Sequence, residues 1–511
     1  MEKNSIRLQY SGFIIFAARI FGVITGLAFQ YMIARNTIPE EYGVLFNVND
    51  VLGYFLILAG IIPFWVMRFV ARSEKGSAKT GIVANFVISL AATGVYLTLV
   101  PLVVSKMNVQ RYVGLYLVAA FQVTEYHVLT AAEACLRAKK PQTLGYGAII
   151  AETTKLLLGY ILIMKLGKPL EGAVISLTTC MAAQMIYYLK LLTGDLKQRV
   201  EWAYVKEWMK GSIANLYNVL GNQIASFVFI LLFTYGGEGA RGYYGAAFMI
   251  SNVITYSTVL AFALYPKLLA EGKIEDATTS LKTVLMFAIP MAAGAIAAPN
   301  LYLSILGSKY ADAWYVLVVL AMDALVITVS TIFGFILYGF EKIDEEAKIP
   351  FKGLLKSRMF LSFSLPYFHS AITIPLTYFA LTTCTQNDPI MSAFSVAVIN
   401  SAARFAMFLV LYAMVRRMVK VVIPWGNIAR YVFASAVMGC LLFWLRTNLL
   451  PSEVVEVRVR QTIGVTVFCG VFYVVLLAVI DREARMLARS AWLEIRARFR
   501  CLLNGCCSTV R

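Results

Sequence analysis

Long apolar runs recur along the whole chain, and they constrain its fold more than any other feature. The 511 residues are 60% hydrophobic and 14% charged, whereas soluble domains carry about 25% charged residues. About 20 helical residues cross a bilayer, and backbone groups in lipid must bond within their own helix. The runs therefore predict an all-α polytopic membrane protein with about 14 transmembrane helices, the first at 11–34 and the last at 461–480.

The distribution of Lys and Arg predicts the orientation and explains the net charge of +18. If the N-terminus is cytoplasmic, the segments between spans hold 33 Lys and Arg on the cytoplasmic side and 10 outside. Cytoplasmic loops of membrane proteins carry this excess of positive charge. We therefore expect a multi-pass protein of the cell membrane with both termini in the cytoplasm. The same bias accounts for the basic character, and nucleic acid is not an expected partner.

The composition disfavours an enzyme or a metal centre. The chain has two His and eight Cys, without the spacing of a zinc site, so we predict no metal and no bound cofactor. The longest external loop, near 446–460, has about 14 residues, which leaves no room for the catalytic loop of a membrane-embedded glycosyltransferase or ligase. After the last span, segment 481–511 has arginines at helical spacing, which predicts either a basic amphipathic helix at the cytoplasmic surface or a solvated tail.

Two sequence marks recur at nearly one interval. Tyr42-Gly43 opens the second span and Tyr244-Gly245 opens the eighth, 202 residues later, while Pro63 and Pro266 are 203 apart. A period of this kind indicates duplication of a six-span unit. We predict an N-terminal six-helix lobe at 1–200, a C-terminal six-helix lobe at 201–420, two extra transmembrane helices at 421–480 and a basic cytoplasmic tail at 481–511. Two lobes around a cleft are typical of transporters.

Cationic and amide side chains within the spans mark a candidate substrate site, because such groups are costly in lipid. Arg19 in the first span either faces a cleft or extends to the cytoplasmic headgroups. Asn215, Asn218 and Asn222 share a stripe of the seventh span, which either faces a hydrated cleft or bonds to another helix. Arg404 in the twelfth span is a second cationic candidate. Guanidinium and amide groups favour an anionic, sugar-bearing substrate.

Four further ionisable residues are candidates for charge pairing or ion coupling. Asp50 in the second span could bind a coupling cation or proton, or pair with a basic residue. Glu152 and Lys155 are i,i+3 neighbours that can neutralise each other. Asp323 in the tenth span has no oppositely charged neighbour in sequence.

Several motifs resemble those of a known family. The segment ARNTIPEEYG at 34–43 resembles the first external loop of polysaccharide-biosynthesis flippases, A-R-x-L-G-P-x-x-Y-G, with Thr37-Ile38 in place of Leu-Gly. GYYGAA at 242–247 and LGSKY at 306–310 are similar to later stretches of that family, and the likeness covers residues 1 to about 340. Arg19 is similar in position to a first-span cleft arginine of lipid II flippases. Ala225 stands where many members carry Asp.

The resemblance implies the multidrug/oligosaccharidyl-lipid/polysaccharide exporter superfamily, whose fold is two six-helix lobes in a V with alternating access. It implies a flippase that moves a polyprenyl-(di)phosphate-linked oligosaccharide to the external leaflet for cell-surface polysaccharide or glycan biosynthesis. A multidrug/toxin extrusion cation antiporter is the alternative. Membrane lipids and glycan-assembly proteins are the expected partners besides the substrate. The expected energy source is a Na⁺ or H⁺ gradient or the membrane potential.

Overall fold

Almost all of the described residues lie in helices. The computed structural model describes residues 8–261, 264, 268, 273–340, 357–447, 455–482 and 485, and no strand occurs among them. The prediction of an all-α polytopic membrane protein is confirmed. Of the predicted tail, only residues 481, 482 and 485 are described, and Pro266 also lies outside the described residues.

Nineteen α-helices are described, and they are numbered here in chain order. Their bounds are α1 Leu8–Asn36, α2 Pro39–Phe55, α3 Ile61–Ala71, α4 Ser77–Lys106, α5 Val113–Lys139, α6 Gln142–Gly159, α7 Pro169–Leu191, α8 Thr193–Leu196, α9 Trp202–Gly211, α10 Ile213–Ala225, α11 Phe227–Gly236, α12 Glu238–Thr255, α13 Ile274–Ala297, α14 Pro299–Leu306, α15 Trp314–Phe340, α16 Arg358–Phe379, α17 Pro389–Met418, α18 Trp425–Thr447 and α19 Val455–Ile480. Short 3₁₀ or π segments extend several of them.

The span count agrees with the sequence prediction. Eleven helices in the described residues are long and apolar enough to cross a membrane, and the bent pair of α2 and α3 makes a twelfth. Helices α1 and α5 have 29 and 27 residues, which exceeds the ~20 residues that a bilayer requires. The described residues thus hold 11 or 12 candidate spans, and two further helices are long enough to cross a bilayer.

The helices group into two compact units. The first takes the described residues of Met1–Met249, Leu306–Val316 and Ile343–Ala403, and the second those of Ile250–Ile305, Leu317–Lys342 and Arg404–Arg511. The first unit thus joins the described residues of the predicted N-terminal lobe to α9–α11, most of α12, α16 and the first half of α17. The predicted lobe boundaries at 200 and 420 stay a prediction.

The second predicted span is broken. Helices α2 and α3 meet at an angle of 54° around a 3₁₀ turn at Ile57–Gly60. Pro63 explains the break, because proline has no N–H to donate to the carbonyl four residues earlier. That carbonyl, of Ala59, accepts instead from Asn85 Nδ2 at 3.4 Å and Thr130 Oγ1 at 3.3 Å. Side chains of α4 and α5 therefore satisfy the backbone group that the proline frees.

Helices α2 and α12 cross in backbone contact near their N-termini. A Cβ atom added to Gly43 would overlap the carbonyl oxygen of Glu238, and one added to Gly242 would overlap the carbonyl oxygen of Pro39. Neither backbone can retreat without separating the helices, so both positions require glycine. Small residues commonly permit this approach between membrane helices. The crossing brings into contact the two helices, α2 and α12, that carry the two copies of the Tyr-Gly mark.

Gly43→Ala is therefore expected to lower the thermal unfolding temperature of the detergent-purified protein and its folded yield. Gly94→Ala in α4 is the matched control, because a Cβ there meets nothing within 4 Å and alanine favours the helix. Thermal unfolding followed by size-exclusion chromatography measures both variants. Equal unfolding temperatures would show that the crossing tolerates a side chain.

Candidate functional site

An ion pair lies in the first unit, between α2 and α12. Arg241 Nε donates to Asp50 Oδ2 at 2.7 Å, and Nη2 donates to Oδ1 at 2.9 Å. The side chains are 6% and 14% exposed, respectively. Two parallel charge-assisted bonds fix the geometry of both groups. The pair joins α2 to α12, although its two residues are 191 positions apart in the sequence.

Aromatic rings surround the arginine of this pair. The guanidinium carbon of Arg241 lies 4.7 Å from the ring centroid of Phe46, 4.8 Å from that of Phe229 and 5.9 Å from that of Tyr244. Aromatic faces attract cations, more strongly where water is excluded. The rings and Asp50 together offset the cost of burying a positive charge.

An aromatic and polar layer lies beside the glycine crossing. Tyr310 packs its ring edge-on against Tyr42 at 5.7 Å and against Tyr243 at 6.1 Å. The hydroxyl of Tyr42 donates to Gln30 Oε1 at 2.7 Å, which connects α2 to α1. Lys309 Nζ donates to the carbonyl oxygen of Thr37. This layer lies at the end of the first unit that the Lys/Arg distribution predicts to be external.

The rim of this layer carries an exposed ion pair. Arg111 Nη2 bonds Glu238 Oε2 at 2.9 Å, with the arginine side chain 64% exposed. The hydrogen bond and charge of Glu238 raise the pKa of Arg111 above its usual value. Exposed pairs of this kind contribute at most about 1 kcal/mol to stability.

A second polar cluster joins α1 to α6. Lys155 Nζ lies 2.6 Å from Glu152 Oε2, and Thr25 Oγ1 donates to the same carboxylate oxygen. Gly22 lies beside the carboxylate, since a Cβ there would be in ordinary van der Waals contact with it at 3.8 Å. Arg19 lies further towards the start of α1, and its side chain is exposed. The cluster therefore binds Glu152 and Lys155 to each other, as their spacing predicts.

The asparagine stripe lies along α10. Asn222 Nδ2 donates to the Asn218 carbonyl oxygen at 2.9 Å and to Asn218 Oδ1 at 3.2 Å. Asn222 is exposed and Asn218 half-buried. Asn215 lies one turn earlier in α10, but its side chain is outside the described set. Bonding within the stripe leaves amide groups on an accessible face.

In the second unit, Arg404 Nη1 bonds Asp323 Oδ2. Asp323 is 5% exposed and Arg404 30%, so the carboxylate is buried and the guanidinium reaches the surface of the unit. Neither residue has a charged neighbour in the sequence. The two are 81 positions apart, and the packing of their helices brings them into contact. A role for Arg404 in substrate binding stays a prediction, and so does ion coupling through Asp50, Glu152, Lys155 or Asp323.

Arg241 is the component that the sequence reading missed. The Tyr244-Gly245 mark predicts that the eighth span begins near residue 243, which leaves Arg241 in an external loop, whereas α12 begins at Glu238. The sequence does carry a local signal for the earlier helix start. Gly237 is a residue type that ends helices, and in the structure it follows α11 with a φ of +90°. Glu238 is an acidic residue, which suits the first turn of a helix.

The fold is shared with membrane transporters of known structure. No family model matches the chain, and no curated protein matches it in sequence. The lipid II flippase MurJ in an inward closed conformation matches with a TM-score of 0.64 and 15% identity, over 90% of this chain and 99% of that one. An inward-facing multidrug resistance MATE family transporter of the MOP superfamily matches with a TM-score of 0.57 and 14% identity, over 78% and 95%.

The chain has the fold of these transporters. At identities of 14–15% the likeness is one of fold alone. The narrower resemblance to polysaccharide-biosynthesis flippases stays a prediction. The fold and the apolar helices make this a multi-pass membrane protein.

Arg241→Gln is expected to destabilise the protein by about 3–5 kcal/mol, because it leaves the carboxylate of Asp50 buried without its cation. The double variant Asp50→Asn/Arg241→Gln should recover part of that loss, since neither charge then remains. Arg111→Gln, at the exposed pair, is the matched control and should change stability by no more than about 1 kcal/mol. Thermal unfolding in detergent compares them. Additive losses in the double variant would contradict direct coupling.

Proposed function

We propose that this protein is a flippase that moves a polyprenyl-(di)phosphate-linked oligosaccharide from the cytoplasmic to the external leaflet by alternating access. The observation that carries the proposal is the fold likeness to a lipid II flippase over 90% of this chain and 99% of the flippase. The MATE family transporter covers less, 78% of this chain. A chain that matches a flippase nearly end to end supports lipid-linked cargo over soluble cargo.

The charged groups of the first unit support an anionic headgroup. Arg19 presents an exposed guanidinium on α1, and a charge at membrane depth faces water or a ligand in preference to lipid. In the proposal, Arg19 binds the (di)phosphate, and Arg404, in the second unit, is a separate cationic candidate for substrate binding. Asn215, Asn218 and Asn222 hydrogen-bond sugar hydroxyls. The polyprenyl chain stays in the bilayer, where its burial costs nothing.

The α2–α12 crossing serves as the closed external end in this proposal. Alternating access requires that end to open while the cytoplasmic end closes. Opening separates Gly43 from Gly242 and draws Asp50 away from Arg241. Water entering the opened space would solvate both charges, which lowers the cost of separating them. A Na⁺ or H⁺ gradient or the membrane potential supplies the remaining energy in the proposal, without a bound cofactor.

A multidrug/toxin extrusion cation antiporter is the second candidate, favoured by the MATE fold likeness. Such a protein needs carboxylates available to a cationic substrate. Three carboxylates within the spans, Asp50, Glu152 and Asp323, are each paired with a basic side chain. A cation would have to displace an arginine or a lysine from them. Glu125 in α5 is a further carboxylate within the spans, and its buried Oε2 has no hydrogen-bond partner among the described residues, so the pairing of these three carboxylates does not decide between the flippase and the antiporter.

The proposal places the protein in the cell membrane with both termini in the cytoplasm, among glycan-assembly proteins and membrane lipids. It assigns the protein no chemical reaction on its substrate. The linkage between lipid and saccharide is the same before and after transport, so product analysis after a transport assay tests this directly.

Arg19→Ala is expected to abolish translocation of a fluorescent polyprenyl-diphosphate oligosaccharide in proteoliposomes, because the phosphate loses its cation. Membrane insertion and the unfolding temperature should match those of the parent protein. Arg72→Ala, an exposed arginine just after α3, is the matched control. A well-folded Arg19→Ala protein with full activity would remove Arg19 from the site. Efflux of cationic dyes without lipid translocation would favour the antiporter.

A further inference from the structure

A cavity of about 400 Å³ opens in the first unit where α10 and α16 begin. Sites for small molecules occupy about 300–1,000 Å³, so the cavity has room for one compact ligand. The lining combines aromatic rings, hydroxyl groups and a guanidinium. Its principal residues are Tyr217, Arg358, Phe360, Ser364, Tyr367 and Phe368.

Three rings form a stack along one wall. Tyr217 from α10 is stacked on Phe360 at 4.9 Å with an interplanar angle of 14°, and on Tyr367 at 4.5 Å with 21°. Gly221, one turn beyond Tyr217, admits the Tyr367 ring, since a Cβ there would lie 2.6 Å from it. The stack presents flat apolar surfaces, and Phe368 adds a further ring that is 55% exposed.

Each hydroxyl group of the wall already donates its proton to an acceptor in the protein. Tyr367 donates to the Tyr217 carbonyl oxygen at 2.7 Å. Ser364 donates to the Phe360 carbonyl oxygen at 3.0 Å, and the Tyr217 and Ser364 hydroxyls lie 3.1 Å apart, so Tyr217 donates to Ser364. Each tyrosine oxygen then keeps acceptor capacity. The wall favours a ligand that donates O–H or N–H groups, as sugars do.

The mouth of the cavity is positive. Arg358 lines it and is exposed. It is the first residue of α16, whose N-cap Ser357 accepts from the Phe360 N–H at 3.0 Å, and the N-terminal end of a helix favours negative charge. The Lys/Arg distribution predicts this end of α10 and α16 to be cytoplasmic. An anionic group on the ligand would therefore lie at the membrane surface, with its polar part against the aromatic wall.

We propose that this cavity binds a phosphorylated sugar: Arg358 binds the phosphate, and the aromatic wall contacts the sugar ring, with the Tyr217 and Tyr367 oxygens accepting hydrogen bonds from its hydroxyls. The occupant is the headgroup of the lipid-linked substrate, taken up at the cytoplasmic surface before it crosses. This inference rests on the proposed function. The cavity shares α10 with the asparagine stripe, and its own residues, Tyr217 and Arg358, are distinct from Arg19 on α1.

The test is equilibrium binding to the full chain in lipid nanodiscs. The probes are farnesyl-diphosphate-linked N-acetylglucosamine, soluble N-acetylglucosamine 1-phosphate, and phosphatidylglycerol as a competitor. We expect the farnesyl-linked probe to bind more tightly than the soluble one, and phosphatidylglycerol to compete weakly. Arg358→Gln should raise the Kd about tenfold, the equivalent of one charge-assisted hydrogen bond. Tyr217→Leu should raise it severalfold.

Arg416→Gln is the matched control, because Arg416 is an exposed arginine in the last turn of α17, also at a predicted cytoplasmic end. Its Kd should equal that of the parent. An unchanged Kd in Arg358→Gln, which is too exposed to unfold the protein, would overturn the proposal. Equal affinity for the soluble sugar phosphate, or full competition by phosphatidylglycerol, would overturn the lipid-linked occupant.

The binding test separates this inference from the proposed function. Translocation in proteoliposomes with an unchanged Kd in Arg358→Gln would refute the cavity and leave the flippase standing. Binding that depends on Arg358, without translocation by the parent protein, would support the cavity and refute the flippase.

Discussion

The cost of leaving a polar group unpaired in hydrocarbon governs this structure. It makes every described span a helix, because only a helix satisfies its own backbone. Where Pro63 breaks the second span, the freed carbonyl of Ala59 accepts from Asn85 and Thr130 on neighbouring helices. The same cost places Asp50 against Arg241 within a group of aromatic rings. At these two places, irregular backbone and charge persist because other helices supply partners.

Such pairing also makes a membrane protein able to switch. A buried ion pair contributes little net stability relative to an apolar pair, but losing one partner is costly. The Asp50–Arg241 pair and the Gly43–Gly242 crossing lie on the same two helices, so they form or separate together. An arrangement that tolerates no intermediate separation favours two discrete states. An interface that is either closed or fully hydrated suits alternating access better than an interface that deforms gradually.

The sequence could predict what depends on composition and local spacing, and little else. Apolar runs predicted about 14 helical crossings, and i,i+3 spacing predicted contact between Glu152 and Lys155. Asp323 and Arg404 were each recognised as candidates, but their pairing depends on long-range packing. Arg241 was missed because a helix boundary was placed five residues too late. Helix boundaries are the least certain part of a prediction from sequence, and here the error at one boundary placed Arg241 outside its helix.

The ion pairs within the spans also affect the free-energy cost of binding a charged substrate. A cationic substrate must compete with Arg241 for Asp50, with Lys155 for Glu152, or with Arg404 for Asp323, and each displaced cation would then need a new partner. An anionic headgroup needs no carboxylate, since exposed guanidinium groups on α1 and at the start of α16 are its natural partners. Amides along α10 add neutral hydrogen-bonding capacity without adding charge. Under the proposed function, these groups favour negative charge carried on a polar headgroup, and three of the described acids each position a basic side chain.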